Sequence, residues 1–423
     1  MTRPRGVVVV TGSELVRGER TDRNGPFLAA ELLRLGVEPV RIVIVGDDAV
    51  ELEAALREGL EAELCLVSGG LGPTHDDRTV ELLARAAGRE LVVDPELEGE
   101  IERVSRAIAE RLGRPYGDFA EGVRKQATLV EGARVIGIAG TAPGLVLDTG
   151  SCVAVVLPGP PPELQRLWRP AVESEPVRRV LERAPVPERR VLRFYGASES
   201  TVARALAEAG GEGDGLTATI CARDFEIHVD LFAEADSRAR LARLADELAD
   251  QLGQHLFARD ERPVEAIVLD LCRDQGLGLA VAESCTGGLV AARLTSVAGS
   301  SDVFRGAIVA YANEVKAAEL GVGEELLERH GAVSGEAAAA MAAGVRERLG
   351  ADVALAVTGV AGPGGGSAEK PVGLVYLHAA GPEGERTLEL NLPGDRGTVR
   401  GRATVAGLHL LRELLSQFRH KQA

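Results

Sequence analysis

Leu64-Cys-Leu-Val-Ser-Gly-Gly-Leu-Gly-Pro-Thr-His-Asp-Asp-Arg-Thr79 runs from a short aliphatic segment through a glycine-rich turn into a helical pattern. The aliphatic segment is uniformly apolar, as in strands that a parallel sheet buries on both faces. Similar segments at 7–10, 40–45 and 153–157 alternate with helical spacing of apolar residues. This alternation predicts a doubly wound, mostly parallel α/β sheet between two layers of helices over residues 1–170.

Two further modules follow this sheet. The proline-rich, charged segment 173–190 indicates a connector, and residues 171–260 then show the order strand, helix, strand, strand, helix, which predicts a small α+β domain. After a second linker at 258–263, residues 261–423 return to mixed strands and helices and close with an amphipathic helix near 399–418. The sequence therefore predicts three modules.

Composition limits the partners of this chain. Its 423 residues carry a formal net charge of −16 and a pI near 5.1, which opposes binding to nucleic acid and to anionic membranes. The five cysteines form no C-x-x-C pair and fit free thiols in a reducing compartment. With no apolar stretch of 18 residues and no signal-peptide core, we expect a soluble cytoplasmic protein that does not enter a membrane.

The glycine-rich turn after the segment at 64–67 predicts a binding pocket. Its glycines would expose backbone amides to a phosphate or a pterin-like ring, and its paired acids could hold a divalent ion; the alternative is a helix cap with two solvated acids. Polar residues after the first strand would converge on the same place, because the carboxyl ends of parallel strands share one edge. The predicted pocket residues are Glu14, Asp22, Asn24, Gly69, Gly70, Gly72, Thr74 and Thr79, with Asp76 and Asp77 as metal ligands.

A nucleophile is predicted in the third module. Ala282-Glu-Ser-Cys-Thr-Gly-Gly288 follows a strand-like run and precedes a helix, so Ser284 or Cys285 could attack a carbonyl; the alternative is an ordinary helix cap. A serine needs a base, and Lys316, one of four lysines in the chain, could supply one if burial lowered its pKa. Tyr311 would orient the proton, although it also fits a core aromatic. Ser367-Ala-Glu-Lys370 satisfies S-x-x-K without the partner motifs and is interpreted as chance.

At the amino-terminal end the chain resembles the molybdopterin-binding-like domain of the CinA family. The resemblance rests on the Glu, Asp and Asn of the first turn, on Gly69-Gly-Leu-Gly-Pro-Thr-x-Asp-Asp-x-Thr79 and on Pro158-Gly-Pro-Pro161, and it covers residues 6–168. It implies a second hydrolytic activity, on a nucleotide pyrophosphate such as ADP-ribose, and that activity would need a divalent metal.

The third module resembles the nicotinamide-nucleotide amidase domain that ends CinA proteins. The matching stretches are Ala282-Glu-Ser-Cys-Thr-Gly-Gly288, Gly299-Ser-Ser, Tyr311 with Asn313 and Lys316, Gly331-Ala-Val-Ser334, Thr358-Gly-x-Ala-Gly-Pro363, Lys370-Pro-Val-Gly373 and Gly394-Asp-Arg396. With both ends matching in order, the whole chain resembles CinA. The resemblance implies hydrolysis of the carboxamide of nicotinamide mononucleotide to nicotinic acid mononucleotide and ammonia, with Ser284 as nucleophile, Lys316 as base, Tyr311 as helper and no cofactor.

Such a reaction needs donors for an oxyanion and for a phosphate. The amides of Thr286, Gly287 and Gly288, or those of Thr358 and Gly359, would serve the oxyanion. Arg400, with Arg396 as second choice, would bind the phosphate. Asn313 completes the predicted substrate-binding residues, listed here in full: Thr286, Gly287, Gly288, Asn313, Thr358, Gly359 and Arg400.

The middle module resembles a KH-like domain in element order, and Gly210-Gly-Glu-Gly213 satisfies the G-x-x-G loop of that fold. Residues 172–258 nevertheless hold 16 acids, 11 arginines and no lysine, so nucleic acid is not expected as a partner. We interpret the module as a spacer or dimer element and expect a homodimer. The alternatives to an amidase acting on a small nucleotide are a pterin-binding or cofactor-synthesis protein and a non-enzymatic partner in DNA uptake or repair.

Overall fold

A six-stranded sheet organises the first part of the chain. The computed structural model describes residues 3–422, without the side chains of 118, 119 and 418–422. It divides into two units, one holding residues up to Arg189 with Ala233–Arg238, the other Arg190–Phe232 with the chain from Ala239 onward. The elements of the first part are β1 (Arg5–Thr11), α1 (Ser13–Val16), α2 (Asn24–Arg34), β2 (Glu38–Val45), α3 (Ala49–Gly59), β3 (Leu64–Ser68), α4 (Thr79–Ala87), β4 (Leu91–Val93), α5 (Pro95–Leu112), α6 (Gly117–Gln126), β5 (Thr128–Val130), β6 (Arg134–Ala139), β7 (Ala142–Asp148), β8 (Val153–Leu157), α7 (Pro161–Glu173) and α8 (Glu175–Leu181).

The strand order β2-β1-β3-β8-β7-β6 confirms the predicted doubly wound fold. Strands β2, β1, β3 and β8 are parallel, and β7 and β6 close one edge antiparallel. Alternation along β1 explains the run of valines: Val7 and Val9 pack into the core on one face, and Val8 and Val10 into the core on the other. The sheet is thus buried on both faces, as three layers require.

The middle of the chain forms a four-stranded sheet in the order β10-β11-β9-β12. The predicted order of strands and helices is present, and the short last strand, which pairs antiparallel with β9, lies where the sequence indicated the start of a linker. The elements are β9 (Glu188–Phe194), α9 (Glu199–Glu208), β10 (Leu216–Arg223), β11 (Glu226–Ala233), α10 (Arg238–Gln251) and β12 (Leu256–Ala258).

The G-x-x-G loop of this module is held by hydrogen bonds from an arginine of the same module. The Arg240 guanidinium donates hydrogen bonds to the carbonyl oxygens of Gly210 (2.9 Å), Gly211 (3.0 Å) and Gly213 (2.5 Å). The Glu212 carboxylate accepts from the backbone amide of Ala218 at 2.7 Å. The loop therefore turns carbonyls toward its own arginine, and the geometry offers little to a phosphate backbone.

The last part is a five-stranded sheet, β14-β13-β15-β16-β17, whose first three strands are parallel and whose last two are antiparallel. The larger core lies between one face and helices at the two ends of the module, and alanines on the other face let a helix pack closely. The elements are α11 (Val264–Gln275), β13 (Leu279–Glu283), α12 (Leu289–Ser296), β14 (Phe304–Val309), α13 (Asn313–Leu320), α14 (Glu324–His330), α15 (Gly335–Leu349), β15 (Val353–Gly359), β16 (Leu374–Gly381), β17 (Gly384–Asn391) and α16 (Arg396–Gln422).

Across residues 3–422, none of the helices combines the length and apolarity that crossing a bilayer requires.

Candidate active sites

The carboxyl ends of three parallel strands meet at the predicted nucleophile. Glu283, the last residue of the central strand β13, pairs in register with Val309 of β14 and Val357 of β15. The Ser284 amide then donates to Val357 O at 2.8 Å, and the Ala310 amide donates to Glu283 O at 2.8 Å. The turns that begin at 284, 310 and 360 therefore share one edge of the sheet.

Glu283 shapes the turn between β13 and α12. Its fully buried carboxylate accepts hydrogen bonds from the amides of Gly288 (2.9 Å), Val290 (3.2 Å) and Ala291 (2.9 Å). These are the free donors at the start of α12, so the helix is capped from inside the strand. The Gly288 amide, a predicted substrate donor, is consequently already occupied.

Sequence reasoning missed Glu283. A cap normally sits at the residue before the helix, whereas this carboxylate precedes α12 by six positions. The available signal was a single acid at the end of an otherwise apolar strand. The turn also needs its two glycines, since Gly287 and Gly288 have φ values of +59° and +96°, in the region that favours glycine.

The first two turns of α16 bring two arginines to the site. Arg400 donates from Nε to Cys285 O (3.1 Å) and from Nη2 to Thr286 O (2.7 Å). It thus holds residues 284–288, called here the nucleophile turn because they include the predicted nucleophile, through two of their carbonyl oxygens. Arg396 donates to Gly362 O (2.7 Å) and to the Tyr311 hydroxyl (2.5 Å). The sequence predicted Arg400 as the phosphate ligand, but its guanidinium is engaged with the protein backbone. Arg396 is exposed at the rim.

Lys316 is buried, with 2% of its surface exposed, and its Nζ donates to Ala310 O at 3.0 Å and to Tyr311 O at 3.3 Å. Burial lowers its pKa, while Cys285 and Glu314 act to raise it. Among the described residues it has no ion-pair partner and forms no hydrogen bond with Ser284. The interaction of its charge with Cys285 indicates that the amine lies near the turn that follows β13.

The two candidate nucleophiles differ in chemistry. Ser284 is 8% exposed and Cys285 is 5% exposed. Burial raises the pKa of the Cys285 thiol to about 11, so that thiol is protonated at neutral pH. Thr286 is fully buried and, within the described part of the chain, its hydroxyl has no hydrogen-bond partner.

Some of the other predicted residues of this module are exposed at the rim of the site, and the rest pack beneath it. Tyr311, with 58% of its surface exposed, and Asn313 lie at the rim where α13 begins. Thr358 donates to Ala332 O at 2.7 Å, and Gly359 has no room for a side chain because a Cβ would lie 2.7 Å from Leu374 O. Thr358 thus holds the turn between α14 and α15 against β15, and Gly359 allows β16 to pack closely on β15.

The S-x-x-K match is a turn, since Ser367 and Lys370 bond to each other's backbone. The Lys370 ammonium reaches His330 O at 2.5 Å. The interpretation as a chance match agrees with this geometry.

A second site lies at the carboxyl ends of β1, β2, β3 and β8. The polar turns after these strands line a cleft of about 680 Å³, which brings together the predicted first-turn and third-turn residues. Of the predicted pocket, the lining includes Glu14, Asp22, Asn24, Gly69, Gly70, Asp76 and Asp77.

Several of these residues build the cleft walls. Asn24 donates to the Ser68 hydroxyl (2.9 Å) and to Gly159 O (2.7 Å), and Asp22 accepts from the amide of Gly25 (3.1 Å) at the start of α2. Thr79 is buried and donates to Gly69 O at 2.9 Å, outside the cleft lining.

Gly72 lines a neighbouring cavity of about 200 Å³, which shares Gly70 and Asp77 with the cleft. Thr74 lines neither of the two cavities; its backbone amide and its hydroxyl donate to the Asp77 carboxylate. Three of the predicted pocket residues, Gly72, Thr74 and Thr79, are thus not brought into the cleft itself.

The predicted metal ligands do not form an ion site by themselves. Asp77 accepts from the Thr74 amide (3.0 Å) and hydroxyl (2.5 Å), so one carboxylate is committed to the turn. A hydrogen bond from Thr74 lowers the pKa of Asp76, which stays charged. Among the residues that the structure describes, no three His, Cys, Asp or Glu side chains are grouped to hold a metal.

Asp47 also lines the cleft and was missed by sequence reasoning. It follows β2 and accepts from the Ser13 hydroxyl (2.6 Å), the Ser13 amide (3.1 Å) and the Thr11 hydroxyl (3.3 Å). Its position directly after a strand of the parallel sheet was the signal that could have found it.

Three family models match successive parts of the chain. They are described as "Probable molybdopterin binding domain" (residues 7–176), "Damage-inducible protein CinA KH domain" (189–258) and "CinA C-terminal domain" (261–415). Among solved structures, a competence/damage inducible protein from Agrobacterium tumefaciens is 41% identical, covering 38% of this chain and 99% of that one with a TM-score of 0.35.

Curated relatives match along nearly the whole length. A CinA-like protein of Mycobacterium marinum is 44% identical, covering 98% of this chain and 99% of that protein. Another, from Mycolicibacterium paratuberculosis, is 43% identical, covering 97% of this chain and 98% of that protein. With all three domains in the same order, the chain belongs to the CinA family of CinA-like proteins.

Proposed function

We propose that the last module is an amidohydrolase that converts nicotinamide mononucleotide to nicotinic acid mononucleotide and ammonia. The observation that carries the proposal is the Lys316 amine, which is buried without an ion-pair partner among the described residues and interacts electrostatically with Cys285, the residue after Ser284. A lysine whose pKa is lowered by burial can accept a proton near neutral pH.

The hydrogen bonds of Lys316 prepare it for this role. A neutral amine has two N–H bonds and one lone pair, and the carbonyls of Ala310 and Tyr311 supply an acceptor for each N–H. The lone pair then points away from both carbonyls and is free to take a proton. Arginine could not replace this residue, because its guanidinium does not deprotonate in proteins.

The proposed reaction has two steps. Lys316 takes the proton of the Ser284 hydroxyl as Oγ bonds to the carboxamide carbon, and returns a proton to the nitrogen as the C–N bond breaks and ammonia leaves. Water, deprotonated by the same amine, then attacks the acyl-serine ester and releases the carboxylate and Ser284. The Gly288 amide is occupied by Glu283 and the Gly287 amide donates to Ser284 O at 3.1 Å, so the Thr286 amide is the remaining predicted donor of this turn for the oxyanion.

A nucleotide phosphate would bind at the rim. Arg396 is exposed there and spends one guanidinium nitrogen on the Tyr311 hydroxyl, a neutral partner that a phosphate would outcompete. Arg400 would keep its backbone contacts during the reaction.

The test is ammonia release from nicotinamide mononucleotide by the full chain, with and without a chelator. We expect release in both, and a loss of roughly 10²–10⁴-fold in kcat for Lys316→Met. Lys370→Met is the matched control, since it removes another lysine that bonds a backbone carbonyl in the same module. Wild-type protein that releases no ammonia, or equal activity in the two variants, would contradict the proposal.

The cleft of the first unit supports a second candidate, binding of a nucleotide pyrophosphate such as ADP-ribose with hydrolysis that depends on added metal. The supporting observation is the joint lining of the cleft by the glycine turn at Gly69 and Gly70 and by acidic side chains. Calorimetric titration with ADP-ribose, with and without Mg²⁺, tests it. A pterin found instead by mass spectrometry of the purified protein, or salt-dependent DNA binding, would favour the other function classes.

A further inference from the structure

The hairpin between β10 and β11 contacts the last module at α16, the helix that carries Arg396 and Arg400. Its two-residue turn is Asp224-Phe225, and the Phe225 ring packs against α16 beside Gly401, with the Arg402 guanidinium 5.3 Å from the ring centroid. A Cβ added at Gly401 would lie 2.8 Å from a ring carbon of Phe225. An alanine at 401 would therefore force the ring to move from this position.

The two residues at the tip of the hairpin have strained backbone conformations. Asp224 and Phe225 have φ values of +52° and +66°, which a two-residue hairpin turn needs but which a bulky residue adopts only at a cost. Asn-Gly or Asp-Gly would form the same turn without that cost. Phenylalanine is 43% exposed there, so burial alone does not account for it.

The contact lies one residue from a group that holds the nucleophile turn. Arg400 precedes Gly401 and donates to the carbonyls of Cys285 and Thr286. The same ring lines a cavity of about 200 Å³ together with Leu289 and Arg293 of α12, the helix that follows the nucleophile turn. The ring thus contacts α16 and faces α12 across this cavity, and these are the helices that adjoin or hold residues 284–288.

We propose that Phe225, from the middle module, is a positioning residue for the amidase site, acting through Gly401 and Arg400 on the turn that carries Ser284. This inference rests on the proposed amidase function for one of its two readouts. It assigns the middle module a role in the chemistry of its neighbour.

The first readout is the rate of ammonia release. Phe225→Gly removes the ring and relieves the strained φ, so we expect kcat to fall roughly 10- to 100-fold, as for an ångström-scale displacement of a catalytic group, with KM changed less than about threefold. The melting temperature should move by less than about 4 °C. Phe225→Tyr should restore the rate, and Asp224→Gly, which relieves strain and keeps the ring, is the matched control with wild-type kcat.

The second readout needs no activity. Cys285 lies in the positioned turn, and alkylation by iodoacetamide followed by mass spectrometry measures access to it. We expect labelling of Cys285 to accelerate at least about fivefold in Phe225→Gly, with no change at Cys272, a buried thiol of α11 in the same module. Equal acceleration at both cysteines would indicate general opening and would contradict local positioning.

A double-mutant comparison isolates the contact. Gly401→Ala should lower kcat and speed Cys285 labelling in the wild-type chain, and should have no further effect when Phe225→Gly has removed the ring. If the wild type releases no ammonia, the proposed function fails while the labelling still tests the positioning. Wild-type labelling of Cys285 in both Phe225→Gly and Gly401→Ala would overturn the inference.

Discussion

Single residues decide which nucleophile the site can use. Ser284 and Cys285 are neighbours, but the raised pKa of the thiol, about 11, removes the usual advantage of cysteine at neutral pH. We expect Ser284→Ala to lower kcat for ammonia release by at least about 10³-fold and Cys285→Ala by less than about tenfold. Steady-state kinetics of the two variants checks this, and the reverse ranking would make Cys285 the nucleophile.

Lys316 should leave a signature in stability as well as in activity. Its folded pKa lies below the ordinary value of 10.5, so between those two values the unfolded chain binds a proton that the folded chain does not. The free energy of unfolding therefore rises with pH through that window, by up to about 1.4 kcal/mol per pH unit. Buried thiols with raised pKa values titrate over the same range in both proteins, so urea unfolding at several alkaline pH values should show the Lys316 contribution as a stability difference between wild type and Lys316→Met that grows with pH.

At the scale of elements, Glu283 stabilises the start of α12. Glu283→Ala would leave the amides of Gly288, Val290 and Ala291 without their acceptor, and we expect a loss of about 2–4 kcal/mol in the free energy of unfolding. Ser334→Ala removes an ordinary cap from α15 and should cost about 1 kcal/mol. Urea unfolding of both variants checks the ranking; equal losses would mean that Glu283 is no more than a single cap.

The helices and strands were largely predictable from the sequence, whereas the side-chain contacts between them were not. Alternating aliphatic runs and glycine-rich turns predicted the parallel sheet of the first module and the α/β character of the last, and the rule that strand ends share an edge brought Glu14, Asp22 and Asp76 into one cleft. The occupancy of Gly288 by Glu283, and of Arg400 by the carbonyls of the turn, could not be read from spacing. Those contacts depend on side-chain reach across elements that are distant in sequence, which local patterns do not encode.

At the scale of the whole second unit, the middle and last modules share a buried polar contact. His409 of α16 stacks on Tyr195 at 3.8 Å and bonds to the Glu226 carboxylate at 2.7 Å. Burial lowers the pKa of His409 below its usual 6.5, against the raising effect of Glu226. The unfolded chain then binds more protons just below pH 6.5, so this contribution to stability is lost as the pH falls through that range.

The expected outcome is a pH dependence that a single substitution removes. Thermal unfolding of the wild type should show a lower melting temperature at pH 5.5 than at pH 7.5. His409→Phe, which keeps a ring against Tyr195, should flatten that difference, with His228 remaining 3.5 Å from the Glu226 carboxylate. A slope that survives in His409→Phe would assign the acid sensitivity to other groups.

The way in which Lys316 is held has a consequence for how this protein can change. Its amine rests on the main-chain oxygens of Ala310 and Tyr311, which every amino acid possesses. Replacing either side chain leaves both acceptors in place, so the proposed proton acceptor would keep its position when residues around it change. The rim could therefore be altered for a new substrate while the proposed reaction centre beneath it is retained.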